Sequence, residues 1–482
     1  MLHLRIAQPL TPQENPPMNR RALLLVSLCV AWFFSSALPS LTRAAKRRPP
    51  NVVLIVSDDQ GYHDLGCYGN QTIKTPHLDR LASQGVRLTD FYVAWPACTP
   101  SRGALLTGRY PQRNGLYDMI RNDLVNYDYQ YDEVTYALSN EMILGLDLRE
   151  ITVAQVLKTA GYTSGVFGKW DSGRARRFLP LQRGFNDFYG FANTGIDYWT
   201  HERYGVPSMF RGNDRVKEKG YATDLFRREA VRFIRENKDR PFFLYVPFNA
   251  PHGASNLQRP GAQAPESYIK TYADAGHDAK SKKTVYMACV TAMDDAIGEI
   301  LDLLKKLDLE RDTLVIFFSD NGGGGGADNS PLRGRKAQMF EGGNRVPCLV
   351  RWPGVIPVGT VCREFLSAME ILPTLAAVTG AKLPKGVILD GFDMLPVIKG
   401  ESPSKRKEMF WERRTDKAAR VGNYKWVDSE RGGGLFDLSK DIGEQHDLSK
   451  EKPKVLAQVK ARFAAWKKAM QEAEPRGPFR NY

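Results

Sequence analysis

The sequence predicts an α/β protein: a large, mostly parallel sheet with helices on both faces, then a small C-terminal α+β subdomain with a short antiparallel sheet. Three observations carry this. Short apolar runs, rich in β-branched and aromatic residues, stand at 52–56, 163–167, 242–247 and 314–318. Helical patterns occupy 77–84, 152–159, 222–236, 285–307 and 369–379. Strand–helix alternation lays helices over a parallel sheet, and continuous apolarity suits strands buried on both sides. Near residue 405 the texture changes. Runs at 409–411, 418–421, 424–427 and 435–436 read as short strands broken by glycine and charge. An amphipathic helix follows at 453–469, with Val455, Val459, Phe463 and Trp466 at helical spacing. The predicted organisation is a leader at 1–45, a large domain at 46–405 and a C-terminal subdomain at 406–482.

Composition narrows the class. The 482 residues are ample to bury a core without disulfides or metal. Hydrophobic residues at 42% and charged residues at 25% exclude disordered and fibrous proteins. Only one apolar run nears membrane-spanning length, which excludes a polytopic membrane protein. Lys and Arg total 68 against 54 Asp and Glu, giving +14. This excess is spread along the chain. It fits either a solvated basic surface or a surface for polyanions such as sulfated polymers. No nucleic-acid recognition motif accompanies it, so nucleic acid is not an expected partner.

The first forty-five residues read as an address. Asn19-Arg20-Arg21 precedes an apolar run at 22–38, and Ser35-Ser36-Ala37 offers a small-residue cleavage site. A cleaved signal is favoured over a membrane anchor, which predicts an exported, periplasmic or secreted protein with no stable membrane span. Translation starts at Met1 or at Met18. Arg20-Arg21 also admits a twin-arginine signal. The leader carries four arginines and one glutamate, so its removal takes +14 to +11. Cys29 leaves with it, and Cys67, Cys98, Cys289, Cys348 and Cys362 remain. An odd number in an oxidising compartment leaves at least one thiol unpaired or chemically special.

Chemistry collects after the strands. The run 52–56 ends in Ser57-Asp58-Asp59, and 314–318 ends in Ser319-Asp320-Asn321. The run 163–167 ends in Gly168-Lys169, and 242–247 leads to Pro251-His252. In open parallel sheets ligands bind beyond the carboxyl ends of the strands. Two acidic pairs, a lysine and a histidine are therefore expected to converge. Asp58, Asp59, Asp320 and Asn321 offer only oxygen, which suits a hard cation such as Ca²⁺ or Mg²⁺. A lone Asp-Asp is more often a cap or turn, but two pairs at matching strand ends favour metal. The run 322–326 of five glycines reads as a flexible loop or a close backbone approach. Residues 120–150 lack a clear period and are expected to form a long loop over one end of the sheet.

Cys98-Thr99-Pro100-Ser101-Arg102 places Thr99 as N-cap and Pro100 at the first helical position. Cys98 then stands just before a helix N-terminus, where the dipole lowers a thiol pKa. Arg102, one turn in, can reach back.

The stretch from Cys98 to Arg109 resembles the type I sulfatase signature, C-x-P-S-R followed by L-x-T-G-R. Residues 51–61 resemble that family's first strand and metal pair, and Thr75-Pro76-His77-Leu78-Asp79 its T-P-x-L-D segment. Leu332 through Pro347 resemble L-R-G-x-K…E-G-G-x-R-V-P, and 435–448 the L-Y-D-L…D-P-x-E-x-x-N-L tail. The resemblance spans about residues 50–470 in order. Within the family, 195–203 and its Asp197-Tyr198-Trp199-Thr200-His201-Glu202-Arg203 are most similar to arylsulfatase B, an N-acetylgalactosamine-4-sulfatase.

The resemblance implies hydrolysis of sulfate monoesters on sulfated carbohydrates or aryl sulfates. It implies that a formylglycine-generating enzyme converts Cys98 to formylglycine (3-oxoalanine). Asp58, Asp59, Asp320, Asn321 and the modified Cys98 would bind one Ca²⁺, which polarises sulfate. Lys169 and Lys336 would hold sulfate oxygens, and Arg102 would orient the diol of the hydrated aldehyde. One diol hydroxyl attacks sulfur while His252 protonates the leaving oxygen; the other then expels sulfate. A serine could complete only the first half. Arg333 and Arg335 flank Lys336, so its role could shift by one position. His201 is either a substrate contact or a packing residue; His63, His77 and His446 are expected to be structural.

Three positions depart from the family pattern. G-K-W-H-x-G reads Gly168-Lys169-Trp170-Asp171-Ser172-Gly173, so Asp171 replaces a histidine beside the formylglycine. Asp171 is expected to be the base that triggers sulfate expulsion. Ala254 stands where proline is common, and Glu370 opens the D-x-x-P-T segment. Two alternatives stay open: a formylglycine-dependent phosphate or phosphonate ester hydrolase, and an inactive relative that binds sulfated glycans.

Overall fold

The computed structural model describes residues 48–120, 134 and 143–477. The expected leader and most of the 120–150 segment lie outside the described residues. Ten strands form the large sheet: β1 (Asn51–Ser57), β2 (Val86–Leu88), β3 (Thr163–Lys169), β4 (Asp187–Phe191), β5 (Met209–Arg211), β6 (Asp214–Arg215), β7 (Phe242–Pro247), β8 (Thr313–Ser319), β9 (Cys348–Arg351) and β10 (Thr360–Cys362). Their order is β10-β2-β9-β8-β1-β7-β3-β4-β5-β6. The central strands β8, β1, β7, β3 and β4 are parallel, as the alternation predicts. Antiparallel β9 and β5 flank them.

Every residue of β1, β7 and β8 is buried. Successive side chains of a strand point to opposite faces, and both faces are covered. Val53 and Ile55 enter one core, with residues of α4 (Ala222–Asn237) and α5 (Lys282–Lys306). Val52, Leu54 and Val56 enter the other, with α3 (Val153–Lys158) and α6 (Ile371–Thr379). Helices α1 (Pro76–Ser83) and α2 (Cys98–Thr107) precede these in the chain. Among the described residues, no helix is long and apolar enough to cross a membrane.

The C-terminal strands β11 (Glu408–Arg413), β12 (Asp416–Val421), β13 (Tyr424–Ser429) and β14 (Gly432–Asp437) form an antiparallel meander. Helix α7 (Pro453–Glu472) packs on it, with Phe410 stacked on Trp466 at 5.4 Å. A third core joins Trp411 and Phe436 to Tyr92, Ala104 and Phe340. Buried ion pairs cross the same seam. Arg420 pairs with Asp90 at 2.7 Å, and Lys425 lies 2.8 Å from Glu341 and 3.3 Å from Glu444.

Cys67, Cys98, Cys289, Cys348 and Cys362 are all free thiols. Cys348 and Cys362 both register with Leu88, from opposite sides of β2. An intervening strand separates them by about 9–10 Å, beyond disulfide reach.

Candidate active site

The parallel register builds the site. Ser57 of β1 is paired with Ser319 of β8. The next residues, Asp58 and Asp320, therefore leave the sheet side by side. Asp59 follows with φ 60°, and its backbone N–H donates to Asp320 Oδ1 at 3.3 Å. Asn321 Nδ2 donates to Asp59 Oδ1 at 2.8 Å. The glycine run beside it is a close backbone approach rather than an open loop: a Cβ on Gly322 would lie 1.8 Å from the Gly342 carbonyl oxygen.

Helix α2 begins two residues earlier than the sequence reading has it. Ala97 is its N-cap, Cys98 is its first residue, and no side chain caps it. Thr99 is drawn away by a stronger partner: its hydroxyl donates to Asp171 Oδ1 at 2.8 Å. Cys98 is fully buried, and burial pushes its thiol up to about 12 although Lys169 and Lys336 pull it down. The thiol is thus raised rather than lowered, because desolvation of a thiolate outweighs the pull of both ammonium groups.

Cations close over the carboxylates. Lys169, the last residue of β3, places Nζ 2.6 Å from Asp58 Oδ2 and 3.6 Å from Asp171 Oδ2. Lys336 Nζ lies 2.7 Å from Asp59 Oδ2 and 3.6 Å from Cys98 Sγ. Arg102 does reach back: Nε and Nη2 contact Asp320 Oδ2 at 2.8 and 2.7 Å. Burial works to discharge Lys169 and Lys336, but Asp58 and Asp59 respectively outweigh it and hold both above the ordinary lysine value. Burial likewise opposes ionisation of Asp59, yet Lys336 and His252 hold it well below the carboxylate range.

His252 follows β7. Its Nδ1 is 2.6 Å from the Gly253 carbonyl and its Nε2 is 3.6 Å from Asp59 Oδ2. Burial and Lys336 push it down to about 3. Asp171 has φ 48°, and burial raises its carboxyl. Its Oδ2 is buried without a hydrogen-bond partner.

The structure thus brings together Asp58, Asp59, Cys98, Arg102, Lys169, Asp171, His252, Asp320, Asn321 and Lys336. His201 is placed differently. It is 3% exposed, and its Nε2 lies 2.9 Å from the Gly220 carbonyl. Its segment is locked to the His252 loop, since Tyr198 donates to the His252 carbonyl at 2.8 Å. Thr99 is the residue that motif reading missed. It occupies the variable position of C-x-P-S-R, and only its partner seventy-two positions away gives it a role.

The donor set fits a hard cation. Asp58 Oδ1 and Asn321 Oδ1 are buried without hydrogen-bond partners. Ligand atoms of Asp58, Asp59, Cys98 and His252 lie within 4.8 Å of one another. Four carboxylates here face three cationic side chains, an excess of negative charge that a divalent ion reverses.

Comparison with known proteins agrees. The family model described as sulfatase matches residues 50–381, and that described as N-sulphoglucosamine sulphohydrolase, C-terminal, matches 335–469. N-acetylgalactosamine-6-sulfatase of Canis lupus familiaris is 33% identical, over 80% of this chain and 73% of its own length. Arylsulfatase A of Homo sapiens is 33% identical, over 84% of each chain. The crystal structure of Ps i-CgsB in complex with k-i-k-neocarrahexaose superposes with a TM-score of 0.77 at 32% identity, covering 87% of this chain and 93% of that one. Fold, converging strand ends and sequence together establish that the chain belongs to the sulfatase family and is a sulfuric ester hydrolase.

Proposed function

We propose that this sulfatase acts on sulfated carbohydrates, with Cys98 converted to formylglycine and one Ca²⁺ held by Asp58, Asp59, Cys98, Asp320 and Asn321. The observation that carries this is the setting of Cys98: buried at the first position of α2, 3.6 Å from Lys336 and within ligand distance of Asp58 and Asp59. The bound cation would neutralise sulfate charge, and the hydrated aldehyde would supply the attacking oxygen.

The other roles fall to this chain's own groups. Lys169 and Lys336 grip sulfate oxygens as point charges. Arg102, locked to Asp320, orients the nucleophile and fixes the metal carboxylate together. His252, whose Nδ1–H is taken up by the Gly253 carbonyl, protonates the leaving oxygen through Nε2 once the negative charge of a bound sulfate ester offsets the burial and the Lys336 charge that keep the ring neutral in the free protein. Asp171, with one buried oxygen free of hydrogen bonds, takes the proton that releases sulfate. His201 acts by packing, given its burial and its bond to Gly220.

Relatives named N-acetylgalactosamine-6-sulfatase and a neighbour in complex with k-i-k-neocarrahexaose support a sulfated sugar. The likeness to arylsulfatase B makes galactosamine 4-sulfates the first to try. The leader 1–45, catalytic domain 46–405 and subdomain 406–482 would suit an exported enzyme matured by a formylglycine-generating enzyme. Asp171 keeps a second reading in view, a relative that binds sulfated glycan without turnover.

Peptide mass spectrometry tests the proposal on protein secreted from a host that has the converting enzyme. The Cys98 peptide should show the mass of an aldehyde, and the protein should release sulfate from galactosamine 4-sulfate. An intact thiol, beside a control sulfatase that is converted in the same cells, would favour the binding reading.

A further inference from the structure

A groove of about 450 Å³ opens between the C-terminal subdomain and the chain that follows α2. It is not the catalytic cleft. Helix α2 starts at Cys98, and the groove is lined by Tyr110 and Arg113, just beyond the helix's other end. Ten helical residues span about 15 Å, wider than one sugar ring. A sulfate in the groove therefore belongs to a different sugar unit from one at Cys98.

The lining is strongly basic. Arg113, Lys405, Arg406, Lys407 and Arg462 face it, against Asp390 and Glu408. Arg113 is held by Asp390 at 3.0 Å, Arg462 by Glu408 at 2.6 Å, and Arg406 by Glu370 at 2.5 Å. These pairs fix the walls. Trp466, stacked on Phe410 and edge-on to Tyr110 at 5.4 Å, fixes the floor. Lys405 and Lys407 are exposed, and among the described residues neither has a carboxylate within ion-pair distance. Two uncompensated ammonium groups thus stand over a rigid concave floor, so an anionic ligand meets a preorganised surface.

We infer that this groove is a second binding site for the sulfated carbohydrate polymer, engaging sulfates remote from the one being hydrolysed. The inference rests on the sulfated-carbohydrate reading above. A chain tethered there is presented to the catalytic cleft at raised effective concentration. Small sulfate esters, which cannot reach both places, gain nothing.

The test uses full-length protein with Lys405→Gln and Lys407→Gln together. Binding of chondroitin sulfate is measured on protein from a host without the converting enzyme, so turnover does not intrude. The double variant should bind about 3-fold to 10-fold more weakly, with a shallower salt dependence. With converted protein, KM on the polymer should rise by a similar factor while kcat/KM on a small aryl sulfate stays unchanged. Both lysines are exposed, and an unchanged Tm shows that folding is intact. Lys405→Glu with Lys407→Glu should deepen the loss. Equal binding by wild type and both variants overturns the inference, as does single-stranded DNA binding as tightly as chondroitin sulfate. If lysine-dependent binding persists but no sulfate ester is ever cleaved, the catalytic reading fails and the groove stands. If aryl sulfate is cleaved and polymer KM ignores the lysines, the groove fails alone.

Discussion

The hydroxyl of Thr99 donates to Asp171 Oδ1 across 2.8 Å. The residue beside the nucleophile thereby holds the carboxylate that stands where the family pattern has histidine. Lys169, 3.6 Å from Asp171 Oδ2, offsets the charge this replacement adds next to a bound sulfate.

Asp171→Asn removes the proton acceptor while keeping the shape and an acceptor for Thr99. Turnover is expected to fall about 100-fold or more, with enzyme accumulating one covalent sulfate by intact mass. Unchanged turnover would sink the base assignment. Thr99→Val should cost less, and Thr99→Ser should restore what it loses.

Chelation should both inactivate and destabilise the protein. Asp58 Oδ1 and Asn321 Oδ1 are buried and unpartnered, so without a cation their desolvation is uncompensated. Restored Ca²⁺ at about a hundredfold excess over Kd should return about 3 kcal/mol, read as a rise in Tm. Mg²⁺ should return less, because it demands stricter octahedral geometry. An unmoved Tm on chelation and readdition would count against the site.

Lys425→Met should be severely destabilising. Lys425 is fully buried between Glu341 at 2.8 Å and Glu444 at 3.3 Å. Among the described residues, removing it leaves Glu444 with only the Glu341 backbone N–H and Glu341 with Arg345 at 3.3 Å and the Tyr92 hydroxyl, at a cost of about 3 kcal/mol. Urea unfolding checks this; a loss under about 1 kcal/mol would mean the seam repacks or a proton replaces the lysine.

Glu229 supplies an acid-stability signature away from the catalytic site. Burial opposes its ionisation, but hydrogen bonds from Arg211, Arg232 and Arg228 outweigh it and lower the carboxyl to about 2, from 4.5. A depressed folded value contributes stability that is full above 4.5 and lost as pH falls through about 2. Glu229→Gln should lower the urea midpoint near neutral pH and flatten its fall between those values. An equally steep acid limb in the variant would contradict the assignment.

Much of the architecture was legible because it is local. β-Branched runs, helical periods and the break near 405 predicted β1, β3, β7, β8, the C-terminal strands and the main helices to within a few residues, but not the shorter outer strands β2, β4, β5, β6, β9 and β10. The ends of those runs carried Asp58, Asp59, Lys169, Asp320 and Asn321, and a parallel sheet aligns such ends by construction. The start of α2 was misplaced by two residues. Cap preference weighs Thr99 against its neighbours in sequence, whereas its hydroxyl is bound by Asp171.

The sequence by itself determined the four adjacent central strands β8, β1, β7 and β3, the main helices on the two faces of the sheet, the signature around Cys98 and the donor types for a hard cation. Tertiary structure alone decided who meets whom: Lys169 on Asp58, Lys336 on Asp59, Arg102 on Asp320, His201 on Gly220. It also decided that Cys98 is buried deeply enough for desolvation to raise its thiol despite two neighbouring lysines. The physical reason is range. Periodicity and capping act over a few residues, while charge pairing and burial depend on distances that exist only once remote strands have closed into one sheet.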